Sequence, residues 1–437
     1  MKKTLITAGI LSFTICLAFY LVPLKNTKSL IEKPMALPPE GCVFNTVMGI
    51  EPVDPEFKYT SSKEVVKAVE EGMKWMETAQ QDDGGWGAGS HNSQQNRDPH
   101  AVKTDPATTA MVAMSLLRNG NSLYVGKHSK QLLAGTKYLL EAAEISDPAL
   151  PNITTITGTQ IQTKLGVNID VVLTMQYFSN LLEALDPSDA YYDRVMHCLN
   201  ICVEKVQSAQ TADGSLAGNG WAGVLQSSFA TSALESAEYR GADVDEKALK
   251  DFRKDQKDNT NAETGNVATD RGAGVILYSV SGSARASAKE ARKAKVDIQK
   301  AIDDGKLSED ADVTIDNLEE IGYSENEALQ MGTAYQVYET AKVRAQDKAV
   351  LTGYGNNGGE EFMSMLQTGE SLIVNEDMDW KQWYSSTGDR LVGIQNADGS
   401  WNGHHCITSP VFCTATCLLI LTVNNDIERL VALGAEE

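Results

Sequence analysis

Gln80-Gln81-Asp82-Asp83-Gly84-Gly85-Trp86 recurs as Gln395-Asn396-Ala397-Asp398-Gly399-Ser400-Trp401, and again as Gln210-Thr211-Ala212-Asp213-Gly214-Ser215-Leu216. Each copy follows a stretch with helical periodicity, at 62–80, 190–210 and about 380–395. In the first of these, Val65, Val66, Val69, Met73 and Met76 return at three- to four-residue steps, and Thr60-Ser61-Ser62 offers N-caps. Each copy also precedes an Ala/Thr/Leu-rich helix, at 105–118, 227–239 and 410–423. Three helix–turn–helix units predict a repeat architecture, in which each unit buries its apolar face on its neighbours. The turn residues suit that role. Asp-Gly favours a tight turn with positive φ at the glycine. The glutamine can satisfy free backbone groups at a helix terminus. The tryptophan offers a broad apolar face to the next helix. No sustained period-two segment appears, so the chain is expected to be all-α.

The string resembles the QW-type motif of the terpenoid cyclase and prenyltransferase superfamily, the prenyltransferase and squalene-oxidase repeats. The resemblance implies an α/α toroid of inner and outer helices over residues 61–437. It rests on three helix pairs, around 75–120, 200–240 and 385–425, with further degenerate pairs expected at 158–185 and 265–280. The acidic motifs of that superfamily are missing. No D-x-D-D string occurs: Asp243-Val244-Asp245-Glu246 reads as a helix cap, and Asp310-Ala311-Asp312-Val313 lies in a charged stretch. No D-D-x-x-D occurs either, and Asp82-Asp83 belongs to the repeat turn. Conventional cyclase chemistry is therefore not expected.

Protein prenyltransferases in the superfamily bind zinc through an Asp, a nearby Cys and a distant His. The Asp-x-Cys part is absent here. The last repeat nonetheless carries His404, His405 and Cys406, followed by Cys413 and Cys417, which are ligand types suited to zinc or copper. A surface histidine pair beside buried cysteines, or a Cys406–Cys413 disulfide, accounts for the same residues. No other cofactor is expected.

The 437 residues hold 38 Lys plus Arg against 59 Asp plus Glu, a formal net charge of −21. Such acidity argues against a nucleic-acid partner, which would need a basic face. Lys2 and Lys3 precede a nearly uncharged run from Leu5 to Leu24. Twenty helical residues span ~30 Å, about one bilayer core. Residues 1–24 are read as an uncleaved signal anchor with the N-terminus inside, or as a signal peptide, and 25–60 as a linker. The body is expected outside the cytoplasm: at the cell membrane, periplasmic in a bacterium, or secreted if the signal is cleaved.

Four carboxyls stand out as candidate catalytic or ligand-contacting groups. Glu360 and Glu361 open a helix after the glycine-rich run Gly353-Tyr354-Gly355-Asn356-Asn357-Gly358-Gly359. Asp170 lies in the apolar run Ile169 to Val172, and Asp270 precedes another, Val275 to Tyr278. The Lys/Glu/Ala-rich segment 285–344 reads as a charged helical insertion that could dock protein partners. The expected function is a membrane-anchored toroid that binds an apolar small molecule, lipid or peptide. The alternatives are a cyclase- or isomerase-like enzyme on an isoprenoid or other lipid, and a zinc-binding toroid.

Overall fold

Ser62 begins the first helix, its hydroxyl accepting the Val65 N–H at 3.2 Å. This is α1 (Lys63–Thr78) of a computed structural model that describes residues 53–218, 220–352 and 358–435. There follow α2 (Pro106–Arg118), α3 (Ser129–Glu144), the short α4 (Gln160–Leu165), α5 (Ile169–Glu183), α6 (Tyr192–Ser208), α7 (Gly223–Tyr239) and α8 (Glu246–Lys257). The second half holds α9 (Ile276–Asp303), α10 (Ile315–Glu320), α11 (Glu325–Gln346), α12 (Gly359–Val374), α13 (Trp380–Gly393), α14 (Pro410–Leu421) and α15 (Ile427–Ala435). Among the described residues there is no strand, only isolated bridges. The expected anchor over 5–24, most of the linker and Gly353 to Asn357 lie outside the described residues. Among those described, no helix is long and apolar enough to cross a membrane.

The helices close into a double ring. α2 packs on α5, α5 on α7, α7 on α9, α9 on α12, α12 on α14, and α14 returns to α2. The helices α1, α3, α6, α8, α11 and α13 alternate with these along the chain and pack outside them. That is the arrangement of an α/α toroid. Burial follows the two layers. Every residue of α14 is buried, as expected of a helix apolar on all sides. The outer α1 buries a single face, through Val65, Ala68, Met73 and Met76.

The repeat turns join outer to inner helices, with the same bonds in each copy. Gly84, Gly214 and Gly399 have φ of 85°, 88° and 92°, the left-handed region that a side chain disfavours. The preceding aspartates Asp83, Asp213 and Asp398 accept the N–H two residues on, at 2.9, 3.1 and 3.0 Å. Each glutamine amide bridges its own turn to the next outer helix. Gln80 donates to Gly84 O and Gln131 O, Gln210 to Gly214 O and Ala248 O, and Gln395 to Gly399 O and Ala68 O. The last of these carries the chain back to its first helix. Removing Gln395 therefore strikes the seam of the ring. Gln395→Ala is expected to cost about 1–2 kcal/mol in urea unfolding, two backbone acceptors losing their donor at once.

The tryptophans fill the space between layers. Trp86 Nε1 donates to Met76 O and Trp401 Nε1 to Leu391 O, at 3.1 and 2.8 Å. Each ring faces a glycine on the following outer helix. A Cβ at Gly135 would come within 2.9 Å of Trp86, and one at Gly72 within 2.8 Å of Trp401. The third copy inverts the sizes. There Leu216 replaces the tryptophan, and the position equivalent to Gly135 and Gly72 is Phe252, fully buried. The layer keeps its volume by exchanging a large–small pair for a medium–large one. A fourth turn, at 260–267, has the same form with one extra residue. Asn261 N donates to Asn266 O as Thr211 N does to Ser215 O, both at 2.9 Å, and Thr260 and Val267 form the bridge that Gln210 and Leu216 form.

Segment 285–344 does not begin at a boundary. Arg285 lies inside α9 and is 3% exposed, paired with Glu235 of α7, which also holds Arg253 of α8. Only beyond it does α9, 28 residues long, pack with α10 and α11 around a small separate core of Ala294, Ile298, Val313, Leu318, Ala328 and Met331. At the far end of the ring, α15 packs across α7, α9 and α12. Arg118 at the end of α2 bonds Asp426 and Glu370, and Arg292 donates to Val431 O at 2.6 Å. That end of the ring is floored by the terminal helix.

Candidate functional site

The opposite end is the rim where the inner helices begin. Asp170, in the first turn of α5, accepts the Ala107 N–H of α2 at 3.1 Å. Tyr278, at the start of α9, donates its hydroxyl to Glu361 of α12 at 2.8 Å. Gln160 of α4 accepts the Thr408 and Ser409 N–H groups that lead into α14, at 2.8 and 3.1 Å. The N-termini of the inner helices thus meet at one rim. Their dipoles point positive ends there, which favours carboxylates in the first turns. Four carboxyls occupy those turns: Asp105 as the α2 N-cap, Asp170, Glu360 and Glu361.

They form two pairs. Asp105 accepts from Thr108 N and Ala88 N, and Asp170 from Ala107 N and Gln162 Nε2. Both are fully buried. Burial raises both, with Asp170 pushed up to about 7 by burial and then by the neighbouring Asp105. Their hydrogen bonds join α2, α4 and α5, so this pair reads as a clasp between helix starts.

The second pair stands differently. Glu361 caps the helix start, its carboxyl accepting the Gly358 N–H at 2.7 Å as well as the Tyr278 hydroxyl. Glu360 accepts one backbone donor, Ile407 N at 3.2 Å. It is 2% exposed, and burial, then the adjacent Glu361, pushes it up to about 8. Burial and the adjacent like carboxyl thus favour the protonated form of Glu360 near neutral pH. Lys164 of α4 acts on Glu360 in the opposite direction. Lys164 is itself 5% exposed, and its ammonium sits 4.2 Å above the ring of Trp221. Trp221 is 65% exposed, a large aromatic face turned to solvent at the rim. Cys406 hydrogen-bonds Glu360, and its thiol is pushed up to about 11 by burial and then by Glu360. Gln94 ties the loop together, donating to Cys406 O at 2.7 Å and meeting His91 Nδ1 at 2.8 Å.

A polar stripe runs from this pair along α12. Gly369 lies against the Trp383 ring of outer α13. At ~100° per residue, Glu360, Ser364, Gln367 and Ser371 fall on the side of α12 away from that contact. Both amide atoms of Gln367 lack a partner among the described residues, although the side chain is 1% exposed.

The other sequence candidates fall elsewhere. Asp270 is exposed in a 3-10 turn before α9, and its neighbour Arg271 pairs with Asp255 instead. His404 is exposed, His405 and Cys406 are half-buried, and Cys413 is fully buried with its thiol donating to Ile407 O. All five cysteines among the described residues are free. Among the same residues, no three His, Cys, Asp or Glu side chains come together as metal ligands. The rim therefore gathers Glu360, Glu361 and Asp170 from the expected set, and adds Asp105, Lys164, Trp221 and Tyr278. The Asp105-Pro106 step was a legible N-cap signal. Lys164 and Trp221 carried none, since each is one residue in an unpatterned loop or short helix.

Fold and rim define an α/α toroid with a buried acid pair at the start of its inner helices. The chain is similar in structure to the type II terpene cyclase MstE from Scytonema in complex with geranylgeranyl dihydroxybenzoate, at 12% identity and a TM-score of 0.46, over 85% of this chain and 99% of that one. It is likewise similar to MstE in complex with merosterolic acid A, at 10% identity and a TM-score of 0.45, with the same coverage. No family model matches the chain, and no curated protein matches it. The toroid itself is seen directly in the closed ring of helix contacts.

Proposed function

We propose that the chain binds an apolar ligand bearing one polar acceptor at this rim, and that Glu360 presents a proton to that acceptor. One arrangement carries the reading: a buried carboxyl that its burial and a like neighbour push up to about 8, reached by Lys164, whose ammonium lies over an exposed indole face. A protonated acid is a hydrogen-bond donor, and an apolar ligand with a single oxygen would match the indole and the acid together. The missing D-x-D-D and D-D-x-x-D strings favour binding without conventional cyclisation. Loading the full chain from a membrane extract, followed by mass spectrometry, tests this. One unchanged ligand should be retained in stoichiometric amount. Glu360→Gln, which keeps a donor, should retain it, whereas Glu360→Ala should lose at least tenfold in affinity. Retention unaffected by Glu360→Ala would end the proposal.

A second reading follows from the same protonated acid. Glu360 could protonate an alkene of an isoprenoid or similar lipid, with Trp221 and Tyr278 offering π faces to the resulting cation. Conversion of a polyprenyl substrate that disappears in Glu360→Gln would establish this enzyme in place of the binding protein. On either reading we place the body outside the cytoplasm, held at the membrane through residues 5–24. A reporter fused after Glu437 should be active only on the outer side.

A further inference from the structure

A further buried lysine stands apart from the rim's carboxyl pairs. Lys205 of outer helix α6 is 4% exposed. Its ammonium donates to Asp147 O and Leu150 O, both at 2.7 Å. An ammonium has three donors, so these carbonyls take two of them. Among the described residues no carboxylate lies within ion-pair distance of Lys205. The carboxylates that act on it, Asp147 and Glu204, are both exposed and lie beyond ion-pair reach, and Asp147 accepts the Ala149 N–H at 2.9 Å. A buried charge without a counter-ion is costly.

The lysine also lines a cavity of about 340 Å³ between α3 and α6. That falls in the ~300–1,000 Å³ range of small-molecule sites. The walls are mostly apolar: Ala143, Pro148, Leu150, Pro151, Ile201 and Ala217. Glu144, paired with Arg194, Glu204 and Ser208 mark its solvent side. An apolar volume with one under-compensated ammonium in its wall matches a molecule with an apolar tail and a single negative head.

We propose that this cavity is a site for a medium-chain monocarboxylate, its carboxylate paired with Lys205 and its alkyl chain against the proline–leucine wall. The site does not depend on the rim reading. The probe is octanoate, carrying ¹³C at the carboxyl, titrated into the full chain at pH 7.5 and followed by NMR. Saturable binding with a carboxyl shift is expected. Lys205→Met should weaken it at least tenfold. Octanol should bind at least tenfold more weakly than octanoate. Lys205 also holds the 147–150 loop, so its variant could misfold. Ala149→Trp, an exposed position that fills the cavity without touching the core, should abolish binding in a normally folded chain. Glu360→Gln should bind octanoate as the parent does. Absence of saturable binding, equal affinity for octanol, or unchanged affinity in Ala149→Trp would overturn the proposal.

Discussion

Replacing Trp401 by alanine is expected to lower the stability of the toroid by about 3–5 kcal/mol, the range for deleting a large buried aromatic. The ring is fully buried and its Nε1 bonds Leu391 O. Its backbone N–H is taken by Thr414 of α14 at 2.8 Å, and its ring faces Gly72 of α1. The side chain therefore joins the last inner helix to the first outer one, where the ring closes. A loss here opens a cavity that two rigid layers cannot collapse to fill. The measurement is the urea midpoint at constant m-value. Trp86→Ala should behave alike, since its partners are equivalent. Leu216→Ala should cost less, because Phe252 already supplies most of the volume there. Leu216→Trp alone should be destabilising, and Phe252→Gly should relieve it. A Trp401→Ala cost below about 1 kcal/mol would contradict the interlayer role of the indole.

The second large effect is a loss of stability at alkaline pH. Glu360 is raised from its ordinary carboxyl value to about 8, and Asp170 to about 7. In the unfolded chain both ionise near pH 4. Between those limits the folded state binds protons that the unfolded state does not, so stability falls as pH rises. The advantage is complete below about pH 4 and is lost as pH passes through about 8. His91 and His128 titrate below their ordinary value. They act at the acid end with the opposite sign, and the buried cysteines, whose thiols are raised, add a fall of the same sign above about pH 8, which makes pH 6.5 to 8 the clean window. Over it the Glu360 contribution should fall by about 1.5–2 kcal/mol. Thermal or urea unfolding across that range checks it. The slope should flatten in Glu360→Gln, and in part in Asp170→Asn. A parent protein with no slope in this window, or a Glu360→Gln variant with the parent's slope, would show that Glu360 is ionised in the fold.

Sequence alone determined the layer structure of this protein. Three strings of Gln-x-x-Asp-Gly place three turns, and the flanking periodicities place their helices to within a few residues of those observed. The reason is local. An Asp-Gly turn, a capping side chain and a 3.6-residue apolar period each act within a few residues, so each is written in the chain at the point where it operates. The fourth turn, at 260–267, was only half legible because one extra residue hid the spacing.

Tertiary structure decided the rest. No local pattern tells that Phe252 compensates for Leu216, because the pair meets only when two outer helices are laid side by side. Nor does spacing bring Lys164, Tyr278, Glu360 and Cys406 to one rim from four separate segments. Sequence marked four carboxyls: Glu360 and Glu361 opening a helix after a glycine-rich run, and Asp170 and Asp270 beside apolar runs. The fold buried the first three and left Asp270 in water. Burial and like-charge neighbours set where a carboxyl titrates, and both depend on which helix starts the closed ring brings together. The same holds for Lys205, an ordinary helical lysine in the sequence, which becomes an under-compensated cation only because the 147–150 loop folds over it.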